Sequence, residues 1–500
     1  MSARALAVSA LLAPLALFAC ATSQPAARRA LPNVVVIYAD DMGWGDLAAQ
    51  WPESRIPTPH LDRLAAEGMR FHDAHSSSGI CTPSRYALHT GRYHWRSFHG
   101  IVNSFESSVF VDEDVTLPEL MRSAGYRTAC IGKWHLGWDW SALRREDAAP
   151  HEGPPLAADF DWSRPVPDGP LAHGYDHYFG DDVPNFPPYA WIEDDRVVQA
   201  PSIPYAPDPQ PAEGHHEGRP GPMLEGWRLD AVMPELTRRA VDWIAAQQGA
   251  EQPFFLYLPW TGPHAPIVPS QAFAGATDVG GYGDFLAQCD DSAGQVLDAL
   301  ERHGLADDTL VIFTSDNGPE HYAYPRARDL GHRSMGPLRG LKRDVWEGGH
   351  RVPFVVRWPG VVEAGAVSDA LVHQVDVMAT LADVVDAPLA PGVAPDGRSL
   401  LPLWRGDPDA GPARRSHVIN TFAQRWGLRL DDWVFLEADS GAHTKVPAWW
   451  DEDLLPGEAP LLYRLSTDPG QRVDVSGDHP EVVAEARRLL GAIRAGDPGP

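Results

Sequence analysis

Asn33-Val34-Val35-Val36-Ile37-Tyr38-Ala39 runs directly into Asp40-Asp41. The apolar run reads as a buried strand, and the two carboxylates stand where it ends. Three other runs share this layout. Arg127 to Ile131 leads to Lys133 and His135, Phe254 to Leu258 leads to His264, and Thr309 to Thr314 leads to Asp316-Asn317. Apolar strands separated by helical patterns predict an α/β fold with a large, mostly parallel sheet sandwiched by helices. In such folds ligands bind beyond the carboxyl ends of the strands. Four reactive clusters at four such ends imply one site.

Between these strands, Thr116 to Ser123 opens with Thr116-x-x-Glu119, a capping box that starts a helix. Asp284 to Arg302 sets Phe285, Cys289, Val296 and Leu300 near one helical face, as expected of a helix lying on a sheet. From 141 to 226 the composition shifts to Pro, Gly, Asp and His, which reads as an insertion that walls the site and shapes substrate choice. His215 and His216 fall inside it and read as solvated loop residues. After Arg415, short runs such as Trp433 to Leu436 and Leu461 to Tyr463 predict a smaller antiparallel sheet, closed by a helix over Pro480 to Ile493. The expected organisation is a signal segment over 1–21, a catalytic domain over 30–415 and a C-terminal subdomain over 416–500.

The signal segment carries Arg4 and an apolar run from Ala5 to Phe18 that is too short to span a bilayer. Leu17-Phe18-Ala19-Cys20 fits a bacterial lipoprotein box, and Ala19-Cys20-Ala21 fits ordinary signal cleavage. Export to the periplasm is expected, with a lipid anchor at Cys20 favoured over a soluble secreted form. The 500 residues, 44% hydrophobic, suffice for a sizeable core, and the net charge of −27 argues against a nucleic-acid partner. Beyond Cys20 the chain has three cysteines, an odd number in an exported protein. Cys130 and Cys289 sit in apolar contexts and read as small buried hydrophobes, which leaves Cys81 to explain.

Cys81-Thr82-Pro83-Ser84-Arg85 is followed by Gly91-Arg92. This pattern resembles the motif of the formylglycine-dependent sulfatases, arylsulfatase-like members of the alkaline phosphatase superfamily. In them a separate maturation enzyme oxidises the cysteine to formylglycine. The resemblance runs from Asn33 to about Gly365, with a fainter match near Tyr463 to Gly470. It implies that Asp40, Asp41, Asp316 and Asn317, with the modified Cys81, hold calcium, a hard cation suited to oxygen ligands from separate loops. Lys133-Trp134-His135 matches the family's Lys-x-His element, and Gly262-Pro263-His264-Ala265-Pro266 matches its second histidine. Lys342, ahead of Glu347-Gly348-Gly349, matches its second lysine.

By that resemblance, one hydroxyl of the hydrated aldehyde attacks sulfur, aided by the metal and Asp316, while Arg85, Lys133 and Lys342 neutralise sulfate. His264 and Lys342 then serve the leaving oxygen, and His135 helps release sulfate from residue 81. One stretch departs from the pattern: after Gly174 to Gly180 the chain continues Asp181-Asp182, and carboxylates there disfavour sulfate unless they turn away. Two other readings stay open, a phosphate or phosphonate ester hydrolase of the same superfamily and a silent binding protein with unmodified Cys81. The expected substrate is an aryl sulfate or a small, lightly sulfated glycan. Aromatic faces such as Trp138, Trp140, Trp162, Tyr175, Tyr178, Trp191 and Trp227 either stack on it or pack the loops.

Overall fold

The computed structural model describes residues 31–148, 151–205, 213, 217–408, 410–421, 425–444, 446–453, 458–497 and 499–500. The signal segment with Cys20, and His215 and His216, lie outside them. Residues 32–500 form one compact unit.

Asn33–Ala39 occupies the middle of a ten-stranded sheet. It pairs in parallel with Phe254–Pro259 on one side and Thr309–Ser315 on the other, with Val34 opposite both Phe255 and Leu310. Arg127–Ile131 and His177–Gly180 continue the sheet in parallel. Beyond Thr309–Ser315 the order reverses: Phe354–Arg357 and Met69–Phe71 add as antiparallel strands. The mostly parallel α/β sheet read from the sequence is therefore observed, with antiparallel pairing near its edges.

A central strand flanked on both sides must bury both faces, and its side chains divide by alternation. Val34, Val36 and Tyr38 enter one core beneath the helices Leu117–Ser123 and Asp376–Val384. Val35, Ile37 and Ala39 enter the opposite core, with the helices Pro59–Ala66, Val232–Ala245 and Gly280–Arg302. The capping box at Thr116 and Glu119 is formed. Cys130 lies in the first core and Cys289 in the second, each buried with a free thiol. Within 141–226, His177–Gly180, Ile192–Glu193 and Arg196–Val197 extend the main sheet, so this segment supplies a sheet edge as well as a wall. Trp138, Trp140, Tyr175 and Tyr178 are buried in the first core, which settles those four aromatics as packing.

Near the C-terminus, Ser416–Asn420, Trp426–Leu430, Trp433–Leu436 and Leu461–Arg464 form the separate antiparallel sheet. The helix Pro480–Arg494 covers it through Leu489, Leu490 and Ile493. A set of buried histidines joins this sheet to the rest of the chain. The His417 ring lies 4.2 Å from His75 and 5.3 Å from His373, centroid to centroid, and His75 Nδ1 meets His350 Nδ1 at 3.0 Å. Both His417 ring nitrogens are buried without a hydrogen-bond partner. Burial holds His350, His373 and His417 well below the ordinary histidine value.

These rings are neutral in the fold and charge only on unfolding, so their contribution is present above the unfolded pKa of about 6.5 and is lost as pH falls below it. His417→Phe keeps a ring in the stack and removes one such group. Its melting temperature should therefore fall less than that of the wild type between pH 7.5 and 5.5; an equal or larger fall contradicts the assignment.

Candidate active site

Asp40 and Asp41 begin where the central strand stops. Asp41 takes a left-handed backbone, φ 66°, which turns the chain across the sheet end. There its N–H donates to Asp316 Oδ1 at 3.1 Å. Lys133 follows Gly132, whose φ is 137°, and a Cβ there would lie 1.8 Å from the Pro259 carbonyl oxygen. Only glycine permits that approach, and with it the delivery of Lys133 Nζ to Asp40 Oδ2 at 2.6 Å.

Cys81 is the first residue of the helix Cys81–Thr90 and is 1% exposed. Gly91 closes that helix in a left-handed turn, φ 60°, its N–H donating to Ala87 O. One turn along the helix, Arg85 Nη2 donates to Asp316 Oδ2 at 2.9 Å and lies 3.5 Å from Asp40 Oδ1. Lys342 Nζ sits 2.8 Å from Asp41 Oδ1 and 3.4 Å from Glu320. Arg92, in the same motif, points elsewhere, towards Asp114 and the Gly392 carbonyl.

All ten residues singled out in the sequence are buried, and hydrogen bonds or ion pairs link eight of them, all but Cys81 and His135. The charges of Lys133, Lys342, Asp316 and Asp40 all act on the Cys81 thiol, yet burial dominates and pushes it up. Thr82 Oγ1 donates to the His135 carbonyl at 3.1 Å. His135 Nε2 meets the Val102 carbonyl at 3.0 Å, which leaves Nδ1 buried without a partner. Burial and the nearby Lys133 and Arg85 hold His135 well below the ordinary range. His264 Nε2 is 3.7 Å from Asp41 Oδ2, and burial with Lys342 lowers it to about 3.

Two acceptors stand out. Asp40 Oδ1 and Asn317 Oδ1 are buried without a hydrogen-bond partner. Asp316 is pushed up to about 6, by burial and then by Asp40, against the pull of Arg85. Unsatisfied oxygens among crowded carboxylates fit a hard divalent cation, and the donors are all oxygen. Asp40, Asp41 and His264 also bring ligand atoms within 4.8 Å of one another.

Sequence reasoning missed Glu320 and Arg343. Glu320 accepts from Arg343 Nη1 at 2.7 Å, and it is held well below its usual value because Lys342 and Arg343 outweigh burial. Their signal was adjacency to Asp316-Asn317 and to Lys342. Asp182 Oδ1 is engaged by the His135 N–H at 3.2 Å, whereas both Asp181 oxygens are buried and unpartnered.

Carboxylates and cations gathered at the carboxyl end of such a sheet suit a hydrolase of anionic esters. The Sulfatase family model matches residues 32–387. The N-acetylgalactosamine-6-O-sulfatase of Bacteroides thetaiotaomicron is 31% identical, covering 93% of each chain, and human arylsulfatase A is 34% identical over 92% of this chain and 87% of its own. A solved structure from work on the metabolism of multiple glycosaminoglycans by Bacteroides thetaiotaomicron superposes with a TM-score of 0.78 at 29% identity, covering 93% of this chain and 100% of that one. The chain belongs to the sulfatase family and is a sulfuric ester hydrolase.

Burial, with Asp182 beside it, pushes Asp181 up to about 7. Such a group stabilises the fold fully below the unfolded pKa near 3.8 and loses that contribution as pH rises through about 7. Asp181→Asn mimics the protonated carboxyl, so it should raise the melting temperature at pH 8 and raise it less at pH 5. A variant equally shifted at both pH values would refute the protonated state.

Proposed function

We propose that the enzyme removes sulfate esters from a carbohydrate, with residue 81 oxidised to formylglycine and calcium held by Asp40, Asp41, Asp316, Asn317 and residue 81. The observation that carries this is the pair of orphaned acceptors, Asp40 Oδ1 and Asn317 Oδ1, inside a ring of paired charges around Cys81. Formylglycine supplies a hydrated aldehyde, one hydroxyl of which is a nucleophile towards sulfur, and calcium supplies Lewis-acid charge beside it. An unmodified thiol offers little, since burial keeps it protonated.

The chain's own residues then divide the work. Arg85 and Lys133, fixed by Asp316 and Asp40, orient residue 81 and face the sulfate with positive charge. The free Nδ1 of His135 is a buried lone pair available to take a proton during sulfate release. Lys342 is held charged by Asp41 and Glu320 despite its burial, so it steadies the leaving oxygen by charge while His264 offers a neutral ring nitrogen. The relatives named N-acetylgalactosamine-6-sulfatases support a 6-O-sulfated amino sugar as the substrate unit. Maturation requires a separate formylglycine-generating enzyme. Export to the periplasm, with a lipid at Cys20, completes the proposal.

Peptide mass spectrometry of natively matured protein should find residue 81 with oxygen in place of sulfur. The same preparation should release sulfate from 6-O-sulfated N-acetylgalactosamine and leave the matched phosphate ester largely intact. Cys81→Ala should abolish turnover. A thiol at residue 81 in natively matured protein that releases no sulfate, or faster phosphate release, overturns the reading in favour of a silent binder or a phosphorus hydrolase respectively. Calcium at about 100 times its Kd should stabilise the wild type by about 2.7 kcal/mol, a gain that Asp40→Asn and Asn317→Leu should each diminish. Equal melting temperatures in calcium and in chelator would remove the cation from the site.

A further inference from the structure

Arg219 belongs to the 141–226 segment and is fixed at its backbone. Its N–H donates to the Asn185 carbonyl at 3.0 Å and to the Tyr189 hydroxyl at 2.8 Å. In turn the Tyr189 hydroxyl donates to the Arg219 carbonyl at 2.7 Å. The guanidinium lies 3.7 Å over the Phe186 ring, and Nη1 donates to Asn103 Oδ1 at 2.7 Å.

Two routes connect this group to the site. The Phe186 ring meets His135 edge-on at 5.4 Å. Asn103 follows Val102, whose carbonyl meets His135 Nε2 and whose N–H donates to Thr82 Oγ1 at 3.3 Å, one residue from Cys81.

Among the described residues Arg219 forms no ion pair, in a chain with a net charge of −27. Glu106, which acts on it from a distance, is committed to the Asn103 N–H at 2.6 Å and to Asn103 Nδ2 at 3.0 Å. A half-buried guanidinium held flat on a ring, with donors to spare and with Glu106 and Glu217 acting only from beyond ion-pair distance, bears a desolvation cost that an anionic ligand would recover. Its fork matches the oxygens of a carboxylate or a sulfate.

We propose that Arg219 binds a second anionic group of the substrate, a uronate carboxylate or another sulfate, beside the ester that is cut, with Phe186 and Asn103 orienting the guanidinium. This rests on the carbohydrate sulfatase reading above. The test uses matured enzyme and three sulfated probes: 6-O-sulfated N-acetylgalactosamine alone, the same sugar carrying a second sulfate, and the same sugar linked to a uronate, with the uronate methyl ester as control.

The wild type should prefer at least one doubly anionic probe, and methylation should erase the preference if the uronate is the source. Arg219→Met should lose about 10- to 100-fold in kcat/KM on the preferred probe, mainly through KM, and at least tenfold less on the singly charged sugar. Arg219→Lys should recover part of that loss. Equal losses on all probes, or a wild type indifferent to the second anion, would overturn the proposal, and the latter comparison needs no variant. Failure of the wild type to desulfate even the single sugar would instead refute the carbohydrate substrate reading.

Discussion

Compensation of buried charge governs this molecule. Asp40, Asp41, Asp316 and Glu320 stand against Arg85, Lys133, Lys342 and Arg343, and all but Arg343 are essentially out of water. Removing an ion from water costs several kcal/mol even after relaxation, so each of these charges is tolerable only beside its opposite. The set is balanced, four against four. A divalent cation bound there would tip the site positive, and positive charge is what an anionic ester and the charge growing on its leaving oxygen require.

The sheet makes that density of charge attainable. Central parallel strands end at the same level, and each delivers one or two of the site's polar residues to a common space without exposing its own backbone. Left-handed turns at Asp41 and His135, and the close approach at Gly132, bend the chain sharply once the strands stop. Their backbone cost is borne by two cores, one on each face of the sheet.

Much of this was legible before any coordinates. The Asn33–Ala39 and Arg127–Ile131 strands have the bounds their apolar runs suggest, because a strand buried on both faces has no reason to interleave polar residues. The capping box at Thr116 was legible because its chemistry is local. Short strands such as Met69–Phe71 and Ala366–Ser368 were not, since three residues leave no period to detect. Glu320 and Arg343 escaped for another reason: their importance comes from whom they touch, and a lone Glu or Arg in a loop carries no mark of that. Asp181 and Asp182 looked unfavourable beside a sulfate, and only geometry shows one turned to a backbone N–H and the other buried under a raised pKa.

The central position of Asn33–Ala39 also carries a consequence in time. Its two partners lie more than two hundred residues further along the chain, and Ser78, just before Cys81, donates its hydroxyl to the Asn420 carbonyl at 2.8 Å. A ribosome making roughly 5 to 20 residues each second emits the first strand many seconds before the last of these contacts can exist. Until then the Cys81 segment cannot close into its final place, and afterwards the side chain is 1% exposed. The order of strands thus works as a clock, giving any enzyme that must handle residue 81 a period of access that ends when folding is complete.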